Sequence, residues 1–223
     1  MRISSIGLFV MASRLCLVKH AVSFMPNAKQ VPVTTTKRSF ANRSPTMMVA
    51  SKTVFGEMSV ERREVEQLFM EQVTNEFSAS QLYLSASIWC DRNDMTGMAS
   101  YMRAESNEER GHGMTLIDFA MKRGFNLSLQ TVPAPESDWE GPEELWEALL
   151  DSEKDNTQSL LRLADAAQTC HDHSLLTLLM PYHMEQVNSE DKLKTILAKV
   201  RDENKTPGLL RQLDTELGAV VGV

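Results

Sequence analysis

The sequence is poor in the residues that build tight turns and strands. Its 223 residues include only 10 glycines and 8 prolines, and aromatic side chains make up 6% of the chain. Such a composition favours an all-α domain over a sandwich or barrel of short strands. A chain of this length can also bury the core of one sizeable domain.

Cysteine is scarce, and long apolar runs are missing. Cys16, Cys90 and Cys170 lack C-x-x-C spacing, so the sequence indicates neither a zinc knuckle nor a disulfide framework. The apolar stretch at residues 6–18 is too short and too interrupted to span a bilayer in the mature protein. We therefore expect no membrane association of the mature form.

The first 48 residues contain no aspartate or glutamate, but they hold seven lysines and arginines and many serines and threonines. The apolar stretch near the start resembles a weak secretory signal, and the basic segment after it is typical of a transit peptide. We predict that residues 1–48 are a cleaved, signal-plus-transit presequence and that residues 49–223 form the functional domain. A plastid is the favoured destination, with a mitochondrion as the alternative.

The rest of the chain has the opposite charge. It holds 16 basic side chains against 30 acidic ones, a net charge of −14. An acidic body does not suit a nucleic-acid surface, so no nucleic-acid partner is expected. It does suit cationic partners, metal ions among them.

Apolar periodicity and stop signals predict five helices. Gly124 ends the second helix, Pro142 opens the third, and Pro181 predicts a kink inside the fourth. The predicted spans are residues 60–90, 95–123, 142–170, 174–204 and, for a short fifth helix, 206–218. Short turns join helices 1 to 2 and 3 to 4, whereas residues 125–141 are long enough to cross the bundle, which predicts a four-helix bundle with one long crossover.

The core-facing stripe of each long helix is apolar at its ends and polar near its middle. In the second helix the polar positions are Glu105, Glu109 and His112, and the first and third helices carry Glu76 and Glu153 at similar heights. A lone buried carboxylate costs several kcal/mol unless it is paired or ligates a cation. No lysine or arginine occupies these stripe positions, so we predict a bound pair of metal ions.

Glu109 and His112 strengthen this prediction, because a spacing of three aims both side chains at a single ion. Di-iron carboxylate bundles use a lone glutamate from each of two helices and Glu-x-x-His from the other two. The fourth helix has Gln186 and Ser189 where the second such motif would stand, so one ion is held well and the other weakly. Oxygen and imidazole ligands favour iron over structural zinc.

Four segments taken together resemble the helix motifs of the ferritin family: residues 75–85, 107–112, 149–160 and 185–187. The resemblance covers residues 57–217, and the leader is similar to that of algal plastid-targeted ferritins. It implies an all-α, ferritin-like four-helix bundle with one long crossover and a short fifth C-terminal helix. It further implies a non-haem ferroxidase that stores iron, with Fe(II) and dioxygen as reaction partners, no organic cofactor, and a cage of about 24 subunits.

The resemblance also assigns residues to two irons per subunit. Glu76, Glu109 and His112 would ligate the first ion. Glu109, Glu153 and Gln186 would serve the second, so that Glu109 bridges the pair.

Tyr83 would lie beside the two ions, where the family places a tyrosine that supplies an electron and hydrogen-bonds the site. A third iron is left open, because Ser189 stands where some ferritins have a carboxylate. The candidate accessory ligands are Glu105, Glu108, Glu185 and Glu190.

Two alternatives remain at this point. One is a storage-only cage subunit with little catalysis. The other is a different di-iron carboxylate enzyme, such as a peroxidase or hydroxylase, which would need a substrate pocket and usually a full second Glu-x-x-His.

Overall fold

The structure is a computed structural model that describes residues 60–202 and 208–221. The predicted presequence and the predicted start of the fifth helix lie outside these residues. The described parts contain five helices and no strand, which confirms the all-α prediction. The helices are α1 (Val60–Arg92), α2 (Thr96–Arg123), α3 (Pro142–Thr169), α4 (His173–Asp202) and α5 (Leu209–Val220).

The helices pack as a bundle with the predicted connections. α1 lies against α2 and α3, α3 lies against α4, and the short α5 contacts α2 and α4. α4 runs without interruption through Pro181, and the kink expected there stays a prediction. None of the described helices combines the length and the apolarity that crossing a membrane requires.

One ion pair ties the end of α2 to the start of α4. The guanidinium of Arg123 donates to both carboxylate oxygens of Asp172, at 2.9 and 2.7 Å. Asp172 also accepts from the backbone N–H of Leu175 at 3.1 Å, so it caps the first turn of α4. The hydrogen bond from Arg123 is the main reason why the pKa of Asp172 lies below its usual value.

The apolar core falls into two clusters, one at each end of the bundle. The cluster beside α5 is built around Trp89, Tyr101 and Trp146, and the cluster at the other end around Phe69 and Leu116. Between them is a layer of buried polar side chains, which we call the central polar layer: Gln72, Glu76, Glu109, Glu153, Asn156 and Gln186. All four long helices contribute to this layer.

α5 docks closely on the start of α2. Met95, the residue that precedes α2, offers no side-chain cap, and Asp214 of α5 accepts instead from the backbone N–H of Met98 at 2.7 Å. A Cβ atom on Gly97 would lie 1.9 Å from the carbonyl oxygen of Asp214. The missing side chain of Gly97 therefore lets the two helix backbones touch.

Replacing Gly97 with alanine should loosen α5. Although alanine is the better helix former, the clash is with backbone, which cannot move aside as a side chain can. We expect a lower melting temperature and faster amide hydrogen exchange in α5. Gly111 is the matched control, because a Cβ there meets no atom within 4 Å and alanine should stabilise α2 by up to about 1 kcal/mol. Slow exchange in α5 of the Gly97→Ala variant would contradict this account.

Candidate metal centre

Three predicted ligands meet between α1 and α2. The carboxylates of Glu76 and Glu109 and the imidazole of His112 each offer a ligand atom, and these atoms lie within 4.8 Å of one another. His112 Nδ1 is 3.4 Å from Glu109 Oε2 and 3.8 Å from Glu76 Oε2. Three donors at this separation can converge on one cation.

Gly113 allows the two helices to approach at this point. A Cβ on Gly113 would lie 3.2 Å from the ring of Phe77 and 3.4 Å from the Cβ of Glu76, tighter than most packed contacts. The glycine next to His112 thus brings α1 close to the ligands on α2.

Glu153 lies in the same layer but has its own partners. The hydroxyl of Tyr83 donates to Glu153 Oε1 at 2.6 Å, and the amide nitrogen of Gln186 donates to Glu153 Oε2 at 3.0 Å. Because its nitrogen faces Glu153, Gln186 has its amide oxygen left as a ligand atom. The structure therefore brings Tyr83, Glu153 and Gln186 together as a second group across α1, α3 and α4.

Electrostatics connect the two groups through Glu109. Burial, followed by the negative charge of Glu109, raises the pKa of Glu76 well above its usual value. Burial, followed by the negative charge of Glu109, also raises the pKa of Glu153 to about 7. The charge of Glu109 therefore raises the pKa of both carboxylates.

His112 faces acidic groups on both sides of its ring. Its Nε2 lies 3.2 Å from Glu185 Oε1, and Glu108, His112 and Glu185 form a second cluster of potential ligands, more exposed than the first. Burial lowers the pKa of His112, but hydrogen bonds with Glu109 and Glu185 outweigh it and raise the pKa to about 10. The hydrogen bond with His112 in turn lowers the pKa of Glu185.

The other two candidate accessory ligands lie outside both clusters. Glu105 pairs with Lys192 at 3.0 Å, and Glu190 pairs with Lys194 at 2.9 Å. Glu190 also accepts a hydrogen bond from Thr157 at 2.9 Å. Each of these carboxylates already has a cation beside it, so neither needs a metal ion to balance its charge.

Two residues of the central polar layer, Gln72 and Asn156, were not among the ligands that the sequence predicts. Gln72 is fully buried, and its amide nitrogen lies 2.6 Å from both Glu76 Oε1 and Asn156 Oδ1. Gln72 stands one helical turn before Glu76, a spacing that places both on one face and that could have drawn attention to it. The position of Asn156 depends on how α3 packs against α1.

The charge of the layer determines what it can bind. Glu76, Glu109 and Glu153 are all buried, and no lysine or arginine is buried anywhere in residues 61–202 or 208–221. The raised pKa values of Glu76 and Glu153 mean that protons neutralise these two carboxylates when no cation is present. Hard carboxylate oxygens, an imidazole and an amide oxygen form a donor set that fits divalent iron, zinc or manganese.

Without metal, the protein should lose stability as the pH rises. Glu153 titrates near its usual value of 4.5 in the unfolded chain but near 7 when folded, so the folded state binds more protons between these values. Its contribution is complete below about pH 4.5 and lost as the pH rises through about 7, and Glu76 acts in the same direction. Melting temperatures measured with a chelator from about pH 5 to pH 8 test this.

A Glu153→Gln variant, which cannot titrate, should show a flatter dependence on pH. Asp118→Asn, a neutralised exposed carboxylate on α2, is the control and should keep the slope of the unaltered protein. An unchanged slope in the Glu153→Gln variant would contradict the assignment.

One protein family matches the part of the chain that forms the four long helices. The ferritin-like domain family matches residues 66–202. The bacterial non-heme ferritin of Campylobacter jejuni is 30% identical over 139 residues, which cover 62% of this chain and 83% of that protein. The ferritin of Pacifastacus leniusculus is 33% identical over 135 residues, which cover 59% of this chain and 75% of that protein.

Solved structures are also similar to this chain. The apo-ferritin from Pseudo-nitzschia multiseries is 58% identical and superposes with a TM-score of 0.67 over 69% of this chain and 98% of its own. A PmFTN variant soaked in iron is 57% identical, with a TM-score of 0.66 over the same shares of the two chains. The family match spans the four helices that build the central polar layer, and the chain belongs to the ferritin family.

Proposed function

We propose that this chain is a ferroxidase subunit, which oxidises Fe(II) with dioxygen inside the bundle and stores the product in an oligomeric cage. The observation that carries the proposal is the convergence of the half-buried His112 with the buried Glu76 and Glu109, in a central polar layer that contains no lysine or arginine. The iron soaked into the related PmFTN variant supports iron as the cation. Family membership supports storage and assembly.

In this proposal Glu76, Glu109 and His112 hold the first Fe(II). Glu109 also binds the second Fe(II), and Glu153 and Gln186 complete the coordination of that ion. Because their pKa values are raised, Glu76 and Glu153 hold protons in the metal-free protein. The two ions replace these protons, so metal binding releases protons. Holding two ions close together lets dioxygen take one electron from each.

Tyr83 is proposed to assist this chemistry. It is fully enclosed, and its hydroxyl donates to Glu153 at 2.6 Å, so it is fixed beside the second ion. Burial and the charge of Glu153 raise the pKa of Tyr83 well above its usual value, which keeps the phenol protonated and able to donate. A tyrosine in this position can supply an electron.

We propose that the more exposed cluster of Glu108, His112 and Glu185 transfers iron to the buried cluster of Glu76, Glu109 and His112. Glu108 is exposed, Glu185 is partly exposed, and His112 belongs to both clusters through its two ring nitrogens. A cation that binds Glu108 and Glu185 therefore reaches a residue that already contacts Glu109. We propose two irons per subunit, since Glu105 is paired with Lys192 and Ser189 offers no carboxylate for a third.

Ferrous oxidation in air tests the proposal. The protein should form Fe(III) faster than buffer, and Glu109→Gln should slow the initial rate at least about tenfold, because it removes the charge shared by both ions. Asp118→Asn, which removes an exposed carboxylate from the same helix, should match the unaltered protein. The absorbance of Fe(III), followed by stopped flow, measures both variants.

The same experiment separates the alternatives. A rate no faster than buffer, in a particle that still takes up iron, would support a storage-only subunit. Sedimentation of the assembled protein should show a cage of about 24 subunits. A monomer or dimer would instead favour another di-iron enzyme.

We propose that the presequence, residues 1–48, delivers the chain to a plastid, with a mitochondrion as the alternative. Its seven basic residues and its lack of acidic ones are the observations behind this proposal. Residues 1–48 fused to a fluorescent protein should accumulate in plastids. Accumulation in mitochondria would support the alternative, and a diffuse signal would contradict both.

A further inference from the structure

Gln72 is held in one orientation by two acceptors. Its amide nitrogen donates to Glu76 Oε1 and to Asn156 Oδ1, each at 2.6 Å, and the side chain is fully buried. An amide nitrogen carries two hydrogens, so both are used and neither is free to reach another group. Reversing the amide would place its oxygen against the two oxygens that now accept from its nitrogen, so this pairing favours the present orientation.

The two carboxylate oxygens of Glu76 consequently differ. Oε1 accepts from Gln72, whereas Oε2 is buried and has no fixed hydrogen-bond donor among residues 60–202 and 208–221. Oε2 is also the oxygen that lies 3.8 Å from His112 Nδ1. The oxygen without a donor is thus the one that faces the other ligands.

We propose that Gln72 is a positioning residue: anchored by Asn156, it binds one oxygen of Glu76 and leaves the other to ligate the cation. The inference rests on the proposed function, since it presupposes that Glu76 binds a metal ion. It adds that Glu76 coordinates through one oxygen and that α3 controls the orientation of a ligand on α1.

The hydrogen bond from Gln72 to Asn156 links the orientation of Glu76 to helix α3. Gln72 and Glu76 lie on α1, and a hydrogen bond within one helix would leave the pair free to turn together. Asn156 lies on α3, so the orientation of Gln72 depends on the packing of α1 against α3. Groups that hydrogen-bond metal ligands typically change metal affinity about 10- to 100-fold when they are removed.

A neighbouring hydrogen bond provides a matched control. Asn75 donates to Ser159 at 2.8 Å, and this contact also joins α1 to α3. Ser159 is buried, as Asn156 is, but its hydrogen bond does not involve Glu76. Ser159→Ala therefore removes a hydrogen bond between the same helices without releasing the ligand.

The test uses Co(II), which does not react with air in such sites and whose visible absorption reports its coordination. Co(II) is titrated into the assembled, metal-free protein and into the variants Gln72→Leu, Asn156→Leu and Ser159→Ala. We expect Gln72→Leu and Asn156→Leu to weaken binding at the first site about 10- to 100-fold and to change the spectrum. Ser159→Ala should keep both the affinity and the spectrum.

Crystal structures with Co(II) bound complete the test. In the unaltered protein Glu76 should bind through Oε2 alone, and in Gln72→Leu the freed Oε1 should turn towards the ion. Unchanged affinity and spectrum in Gln72→Leu would overturn the inference, as would equal losses in Ser159→Ala. If Gln72→Leu does not assemble, Asn156→Leu and the unaltered structure decide, because coordination of Glu76 through both oxygens would also overturn it.

The two proposals fail differently. If the unaltered protein binds no Co(II) at Glu76, the metal site itself is wrong and both proposals fall. If Co(II) binds there but Gln72 and Asn156 have no influence on it, only the positioning role is lost.

Discussion

The central polar layer holds three buried carboxylates, and no lysine or arginine is buried among residues 61–202 and 208–221 to balance them. This is the constraint on which the rest of the structure depends. Removing a carboxylate from water is costly, and the raised pKa values of Glu76 and Glu153 show that the layer resists carrying negative charge by itself. Protons can neutralise it, but so can metal ions. Because the negative charge of the layer must be neutralised, the layer binds cations and releases protons in exchange.

The surrounding fold keeps this costly arrangement in place. Apolar clusters on either side supply the burial that offsets it, and they also exclude the water that would otherwise hydrate the acids. Gly113 lets α1 approach His112 closely, and the pair of Arg123 with Asp172 joins α2 to α4 near one end. Stability is therefore concentrated at the ends of the bundle, while the chemistry occupies its middle.

The candidate site was largely predictable because its main signal is local. Glu109 and His112 share one helical face through their spacing, and Glu76 and Glu153 each interrupt an apolar stripe at mid-helix. The accessory acids were less predictable. Sequence position alone could not separate Glu108 and Glu185, which gather at His112, from Glu105 and Glu190, which pair with lysines, since that difference depends on contacts between helices.

The sequence by itself determined the number and order of the helices, the long crossover and the burial of acids at mid-helix. Each of these follows from periodicity and turn signals along one segment. Only the tertiary structure decided which oxygen of Glu76 is free, that Asn156 orients Gln72, and that α5 caps α2 through Asp214. The hydrogen bonds from Gln72 to Asn156 and from Met98 to Asp214 join residues 84 and 116 positions apart, and a pattern within one helix carries no information about the rotation of its neighbour.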